Sequence, residues 1–153
     1  MFLSIIIPTF NESKVIEKNL NKIINYFNDK IDFEIIVVDD GSTDNTLEII
    51  NKLNTKKLIV LNNTSNLGKG SALKIGIEKS KGDLILITDA DLSTSIDQFE
   101  KLNNKFREGY DIVIGSRSTK DAKVLIKQGY LRIAAGKTFN LLIKLILQIN
   151  FKD

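Results

Sequence analysis

At 153 residues, with 42% apolar and 27% charged side chains, the chain is one domain's worth of ordinary globular composition. It has no cysteine, which excludes disulfide frameworks, thiolate metal sites and cysteine nucleophiles, and no histidine, which excludes imidazole zinc hydrolases, Ser-His-Asp hydrolases and histidine acid–base enzymes. The formal charge of +3 is unevenly divided: residues 115–153 carry 8 basic against 2 acidic side chains, residues 1–114 carry 14 against 17. The front therefore reads as an acidic, metal-tolerant region and the back as a surface for an anionic partner, with too few interleaved aromatics for nucleic acid.

Met1 to Pro8 lacks a positive leader and its apolar run is very short, so it is not a signal peptide, and the expected location is the cytosol. Leu3 to Ile7, stopped by Pro8, predicts a buried first strand feeding a loop to Ser13. Ile16, Leu20, Ile23, Ile24 and Phe27 follow helical spacing and predict one amphipathic helix. Phe33 to Val38 predicts a second strand, ending in Asp39-Asp40-Gly41-Ser42-Thr43-Asp44. A glycine turn, a hydroxyl N-cap and a first-turn acid account for Gly41 to Asp44, but not for two like charges side by side at a strand end. Leu47, Ile50 and Leu53 mark a second helix, and Lys57 to Leu61 a third strand.

Asn66-Leu67-Gly68-Lys69-Gly70 then opens a helix whose expected inner face is Ala72, Leu73, Gly76, Ile77 and Ser80. Backbone N–H groups at such a start can hold an anion, although a plain turn with Lys69 in solvent explains the residues equally well. Leu84 to Ile87 is a buried-strand pattern delivering Asp89-Ala90-Asp91. Side chains i and i+2 point the same way at the carboxyl end of a strand, so Asp89 and Asp91 can face one Mg²⁺ or Mn²⁺; the bland alternative is a polar strand end that caps the next helix. Ser95 to Gln98 reads as a capping box for a helix with Phe99, Leu102 and Phe106 inward, closed by Gly109, and Asp111 to Gly115 as a fifth strand delivering Arg117.

The expected fold class is thus α/β, a mostly parallel doubly wound sheet flanked by helices, with the strand ends bearing Asp39, Asp89 and Arg117 on one edge. Residues 118–129 are basic and loop-like, and Tyr130 to Asn150 predicts an amphipathic C-terminal helix. Its narrow polar stripe of Lys137, Asn140, Lys144 and Gln148 leaves an apolar arc too wide for one buried face and too short to span a bilayer. It either lies in a membrane interface, with lysines toward headgroups, or packs on further chain. Two regions follow, 1–117 for the acidic α/β domain and 118–153 for a basic, membrane-facing segment, and the lack of a polar tail after Asp153 is what a fragment would show.

Five segments, Ser4 to Glu12, Val37 to Asp44, Asn66 to Gly70, Thr88 to Leu92 and Ile114 to Arg117, resemble in order and spacing the family 2 glycosyltransferases of the GT-A fold. Within that family the chain is most similar to the polyprenyl-phosphate (dolichyl-phosphate) glycosyltransferases, and Ser93-Thr94 resembles the glucosyl branch more than the mannosyl one. The resemblance implies a nucleoside-diphosphate sugar donor, UDP-glucose before GDP-mannose, and a polyprenyl phosphate acceptor at the cytoplasmic face of a membrane. It implies that Pro8, Phe10, Glu12 and Asp39 bind the nucleoside, with Gly68, Lys69 and Gly70 near the diphosphate and Asp40 and Ala90 also among the substrate-binding residues. Asp89 and Asp91 would hold the Mg²⁺ or Mn²⁺ and act in catalysis, with Arg117 and Arg132 at the acceptor phosphate.

Such chemistry suits a chain without histidine. A phosphate monoester is already anionic at neutral pH and attacks the anomeric carbon without a general base, which implies inversion; a saccharide hydroxyl would need a carboxylate base. Three competing readings are a family 2 enzyme acting on a saccharide hydroxyl, a sugar-nucleotide pyrophosphorylase, and a non-catalytic nucleotide-sugar-binding or membrane-docking module. The pyrophosphorylase lacks its expected glycine- and arginine-rich loop after the first strand.

Overall fold

The computed structural model describes residues 1–53 and 55–116, together with 136, 138, 139 and 146. The elements run β1 (Phe2–Thr9), α1 (Ile16–Phe27), β2 (Asp32–Asp39), α2 (Thr46–Lys52), β3 (Leu58–Asn62), α3 (Lys69–Lys79), β4 (Leu84–Ile87), a 3₁₀ turn (Ile96–Gln98) and α4 (Phe99–Arg107). The chain divides into two compact units, Met1–Phe99 and Glu100–Asp153.

In the first unit the strands form one four-stranded sheet in the order β3-β2-β1-β4, every pairing parallel. The order reverses at β1: β2 and β3 extend the sheet on one side, then the chain crosses back to add β4 on the other. Such a reversal leaves a crevice beyond the strand carboxyl ends, between the two connections that diverge there.

In β1 and β2, strand apolarity on both faces follows from helices on both faces; β4 departs from its buried-strand pattern, because Leu84 and Leu86 pack on the core while Ile85 and Ile87, on the other face of this edge strand, are 39% and 47% exposed. Leu3, Ile5 and Ile7 of β1 and Phe33, Ile35 and Val37 of β2 pack under α1, which contributes Ile16, Leu20, Ile23 and Phe27. Phe27 is the hub of this layer, edge-on to Phe99 at 4.9 Å and to Tyr26 at 4.8 Å between ring centroids. On the opposite face Ile36 and Val38 pack against Ala72 and Ile75 of α3. A Cβ at Gly76 would stand 2.5 Å from Ile6 Cγ2, so the glycine lets α3 lie close on the sheet.

The end of the sheet away from the crevice is tied by a buried polar knot. Ser4 and Glu34 are register partners, and the Ser4 hydroxyl donates to Glu34 Oε1 at 2.6 Å. The Lys81 N–H donates to the same carboxylate oxygen at 2.8 Å and the Gly82 N–H to Ser4 Oγ at 2.8 Å, which anchors the α3–β4 turn. A Cβ at Gly82 would meet the Ser4 backbone nitrogen at 2.5 Å, so only glycine permits this approach.

Three further local expectations change. No ladder among the described residues includes 111–116: Ile112 and Ile114 are 83% and 62% exposed, and a short apolar run makes a strand only where a partner edge meets it. The Ser95 hydroxyl bonds Asp97 Oδ2 at 2.7 Å instead of capping a backbone N–H, and the first turn there is 3₁₀ rather than a capping-box α-turn. On α3 the inward residue is Ile75, while Ile77 is exposed, because the close approach at Gly76 rotates the contact stripe onto Ala72, Ile75 and Gly76. The predicted strand end at Arg117 and segment 118–129 lie outside the described residues; of the Tyr130–Asn150 helix, only Gly136, Thr138, Phe139 and Ile146 are described, all helical and exposed. No described helix is long and apolar enough to cross a membrane.

Glu34→Ala would leave the buried Ser4 hydroxyl without its acceptor. We expect unfolding free energy to fall by about 1–3 kcal/mol, read as a lower urea midpoint at unchanged slope.

Candidate active site

Three loops converge at the carboxyl edge of the sheet. The loop after β1 and the loop after β2 are laced together, chiefly by Asn11, which is held at φ 56°. Its Oδ1 accepts the Thr43 N–H at 2.8 Å, and its own N–H donates to Ser42 Oγ at 2.9 Å. The Glu12 N–H donates to Thr46 Oγ1 at 2.8 Å, and the Glu12 carbonyl in turn receives the Val15 and Ile16 N–H groups that open α1. Phe10 and Glu12 are thereby fixed beside the end of β2.

Asp39 and Asp40, unexplained by the sequence alone, have separate tasks. Asp39 is buried, and its carboxylate accepts the Ser42 N–H at 3.1 Å and the Ser42 hydroxyl, closing the turn at Gly41. Gly41 has φ 75°, and a Cβ there would lie 2.7 Å from the Ser65 carbonyl carbon, so the turn requires glycine on two counts. Asp40 is 3% exposed and accepts three bonds: Asn63 Nδ2 at 2.7 Å, the Leu67 N–H at 3.0 Å and the Gly68 N–H at 2.7 Å. Burial pushes its pKa upward, but these donors outweigh it and hold the carboxyl below its ordinary value. Asp40 thus fixes where α3 begins, with Gly68 at φ 90° just before it.

Beyond β4 the chain turns sharply. The Thr88 N–H still bonds the Ile6 carbonyl, and the Leu92 N–H folds back onto the Asp89 carbonyl at 3.0 Å. Asn19 of α1 donates to the Ala90 carbonyl at 2.8 Å, and Asp91 accepts the Ser93 N–H and hydroxyl at 2.9 and 2.6 Å. The hydroxyl bond leads the causes that lower the Asp91 pKa. Asp89 Oδ1 receives the Lys69 ammonium at 2.6 Å. Glu12 is pushed upward, first by burial and then by the like charges of Asp91, Asp44 and Asp89, so acids crowd this edge.

The resulting cleft has a volume of about 360 Å³, within the range of small-molecule sites. It brings together the predicted Pro8, Phe10, Glu12, Asp40, Lys69, Asp89, Ala90 and Asp91. Asp39, Gly68 and Gly70 do not line it; Asp39 and Gly68 shape the loops behind it. Thr9 and Asn66, inside the motif segments, and Ala72, on the inner face of α3, also line it, although nothing in the sequence assigned them a role at the site. Asn11 and Asn19 were likewise missed as positioning residues, since a lone asparagine carries no signal of which carbonyl or N–H it will meet. Arg117 and Arg132 lie outside the described residues.

A divalent cation fits the donor set. Asp89 and Asp91 offer hard oxygen ligands on an exposed edge, and among the described residues no group of three ligating side chains makes a closed cage. An open carboxylate pair is what Mg²⁺ or Mn²⁺ takes when substrate phosphates complete its shell.

A parallel sheet reversing at β1, with an acidic cleft at that reversal, defines an open α/β protein with its cleft where such sheets take their ligands. The chain belongs to glycosyl transferase family 2, whose sequence profile matches residues 4–152. It is 36% identical to dolichyl-phosphate beta-glucosyltransferase ALG5C of Trichomonas vaginalis over 100% of this chain and 49% of that protein, so it spans about half that relative's length. Among solved structures, mannosyltransferase PcManGT from Pyrobaculum calidifontis, in complex with GDP-Man and Mn²⁺, is 33% identical, with a TM-score of 0.55 over 63% of this chain and 30% of that one. S. aureus TarS 1-349 in complex with UDP-GlcNAc is 29% identical, with a TM-score of 0.57 over 70% of this chain and 32% of that one. These neighbours establish the expected GT-A fold.

Asp44 accepts the Thr46 and Ser13 N–H groups, and these contacts, led by the Thr46 side chain, lower its pKa from 3.8 to about 2. A depressed folded-state pKa means stabilisation that is complete above the unfolded value and disappears as pH falls through the folded one. Asp44→Ala is therefore expected to melt earlier than wild type at pH 7, with the gap in Tm narrowing between pH 3.8 and about 2. A gap independent of pH would show that the carboxylate charge is not what holds the loop.

Proposed function

We propose that this chain is the donor-binding part of a metal-dependent, inverting glycosyltransferase that moves glucose from UDP-glucose to a polyprenyl (dolichyl-type) phosphate. The observation that carries the reading is the cleft at the β1–β4 reversal, where Phe10, Glu12, Lys69, Asp89 and Asp91 meet. The glucosyl assignment draws on similarity along the full chain to a protein named a dolichyl-phosphate beta-glucosyltransferase. GDP-mannose is the second donor to consider, because PcManGT, a similar protein, is described with it.

In this reading the loop after β1 takes the nucleoside, Phe10 offering an exposed ring and Glu12 a carboxylate at the cleft wall. Asp89 and Asp91 hold Mg²⁺ or Mn²⁺, which when bound neutralises charge on the departing nucleoside diphosphate. Lys69 lines the same cleft, where a point charge can meet phosphate oxygens. In this proposal residues 1–117 form the donor module and 118–153 the acceptor- and membrane-facing segment on the cytoplasmic side, with Arg117, at the end of the first region, and Arg132, in the second, at the acceptor phosphate. A phosphate nucleophile needs no proton removed, which is consistent with a chain that has no histidine.

Calorimetric titration with UDP-glucose and GDP-mannose, each with and without Mn²⁺, tests this. UDP-glucose is expected to bind more tightly than GDP-mannose, with affinity rising at least tenfold (about 1.4 kcal/mol) on adding Mn²⁺. Asp91→Asn should lose most of that rise while keeping the fold by circular dichroism. Failure of folded wild type to bind either donor would sink the proposal.

A further inference from the structure

We propose that Lys69 is an exchangeable plug on Asp89: its ammonium occupies, in the free protein, the face of that carboxylate a divalent cation would use, and it moves to the donor's diphosphate when donor and cation enter. The inference rests on the donor-binding reading above and adds a coupling between the two ligands.

Lys69 is the single basic side chain among the described residues lining the cleft, where it pairs with Asp89, adds its charge to the Ser93 hydroxyl bond that leads in lowering the Asp91 pKa, and shares the wall with Glu12. Its Nζ lies 2.6 Å from Asp89 Oδ1, within direct contact, so a cation cannot bind that oxygen from the same side without displacing it. The pair is built to exchange. Both side chains are about half exposed, at 59% and 50%, and an ion pair so exposed to water is held weakly. The backbone under Lys69 does not need to move, because Asp40 clamps the Leu67 and Gly68 N–H groups just ahead of it. Only the flexible four-carbon stem has to swing, carrying a strongly hydrated ammonium that serves equally well on phosphate.

With no donor present, a cation competes with Lys69 for Asp89 and binds weakly. With a diphosphate present, Lys69 has a second anionic partner, and Asp89 is released to the cation. Linkage then requires the cation to tighten the nucleotide by the same factor as the nucleotide tightens the cation. The free protein is thereby protected from binding a cation unproductively in the absence of donor.

The test measures free Mn²⁺ by electron paramagnetic resonance in wild type, Lys69→Met and Lys74→Met, with and without UDP. Lys74→Met removes the same charge from the same helix at a position paired only at 4.0 Å with Glu78. Without UDP, Lys69→Met is expected to bind Mn²⁺ about five- to tenfold more tightly than wild type and Lys74→Met about as wild type. Adding UDP should tighten Mn²⁺ less in Lys69→Met than in wild type. Equal or weaker Mn²⁺ binding by Lys69→Met without UDP, while UDP still tightens it in wild type, overturns the plug and leaves the donor reading standing. Absence of Mn²⁺ binding in every folded variant, even with UDP, overturns both.

Discussion

A carboxylate kept ionised in a nearly dry place organises the functional edge of this protein. Asp40 sits one residue beyond β2, where its own N–H continues the ladder to the Thr9 carbonyl at 2.8 Å. Its side chain is stable there because Asn63, Leu67 and Gly68 supply N–H donors that replace water. Those same donors belong to the connection from β3 to α3, so satisfying one buried charge also decides the first residue of α3. Lys69 then falls opposite Asp89, and the cleft has a wall on each side.

The remaining geometry follows from strand order. With β1 central and β4 added on the side away from β2, the connections leaving β1 and β4 diverge, and the sheet cannot fill the gap between them. Both loops at that gap are pinned from outside it. Asn11 and Thr46 hold the β1 loop to the start of α2, and Asn19 holds the turn at Ala90 to α1. The acids are thus presented by backbone fixed through neutral hydrogen bonds; Asp89 meets Lys69, while Asp91 accepts the Ser93 N–H and hydroxyl within its own turn.

Charge distribution gives the site its character. Glu12, Asp89 and Asp91 share one cleft with a single lysine among the described lining residues, so the cleft carries an acidic excess that an added cation would relieve. Membership of glycosyl transferase family 2 gives that excess a chemical context, and the proposed phosphate acceptor removes the need for the general base that a chain without histidine cannot draw from imidazole.

Strand and helix identity was legible in the sequence because period and length carry it. Runs such as Leu3 to Ile7 and Phe33 to Val38 are too short and too uniformly apolar for a surface helix, and Ile16, Leu20, Ile23 and Phe27 mark one buried stripe. The carboxylates at the ends of β2 and β4 could be placed on one edge because every strand in a parallel sheet points the same way. What each acid does there was decided by tertiary structure alone. Asp39 and Asp40 are adjacent and chemically identical, yet one closes its own turn and the other clamps a loop 27 to 28 residues on, a difference set by which donors the β3–α3 connection brings within reach. Likewise Lys69 meets Asp89 across 20 residues of chain, and the short apolar run at 112–114 forms no ladder among the described residues. Periodicity is a local property that a sequence records directly, whereas a hydrogen bond or a ladder depends on where a distant partner comes to rest.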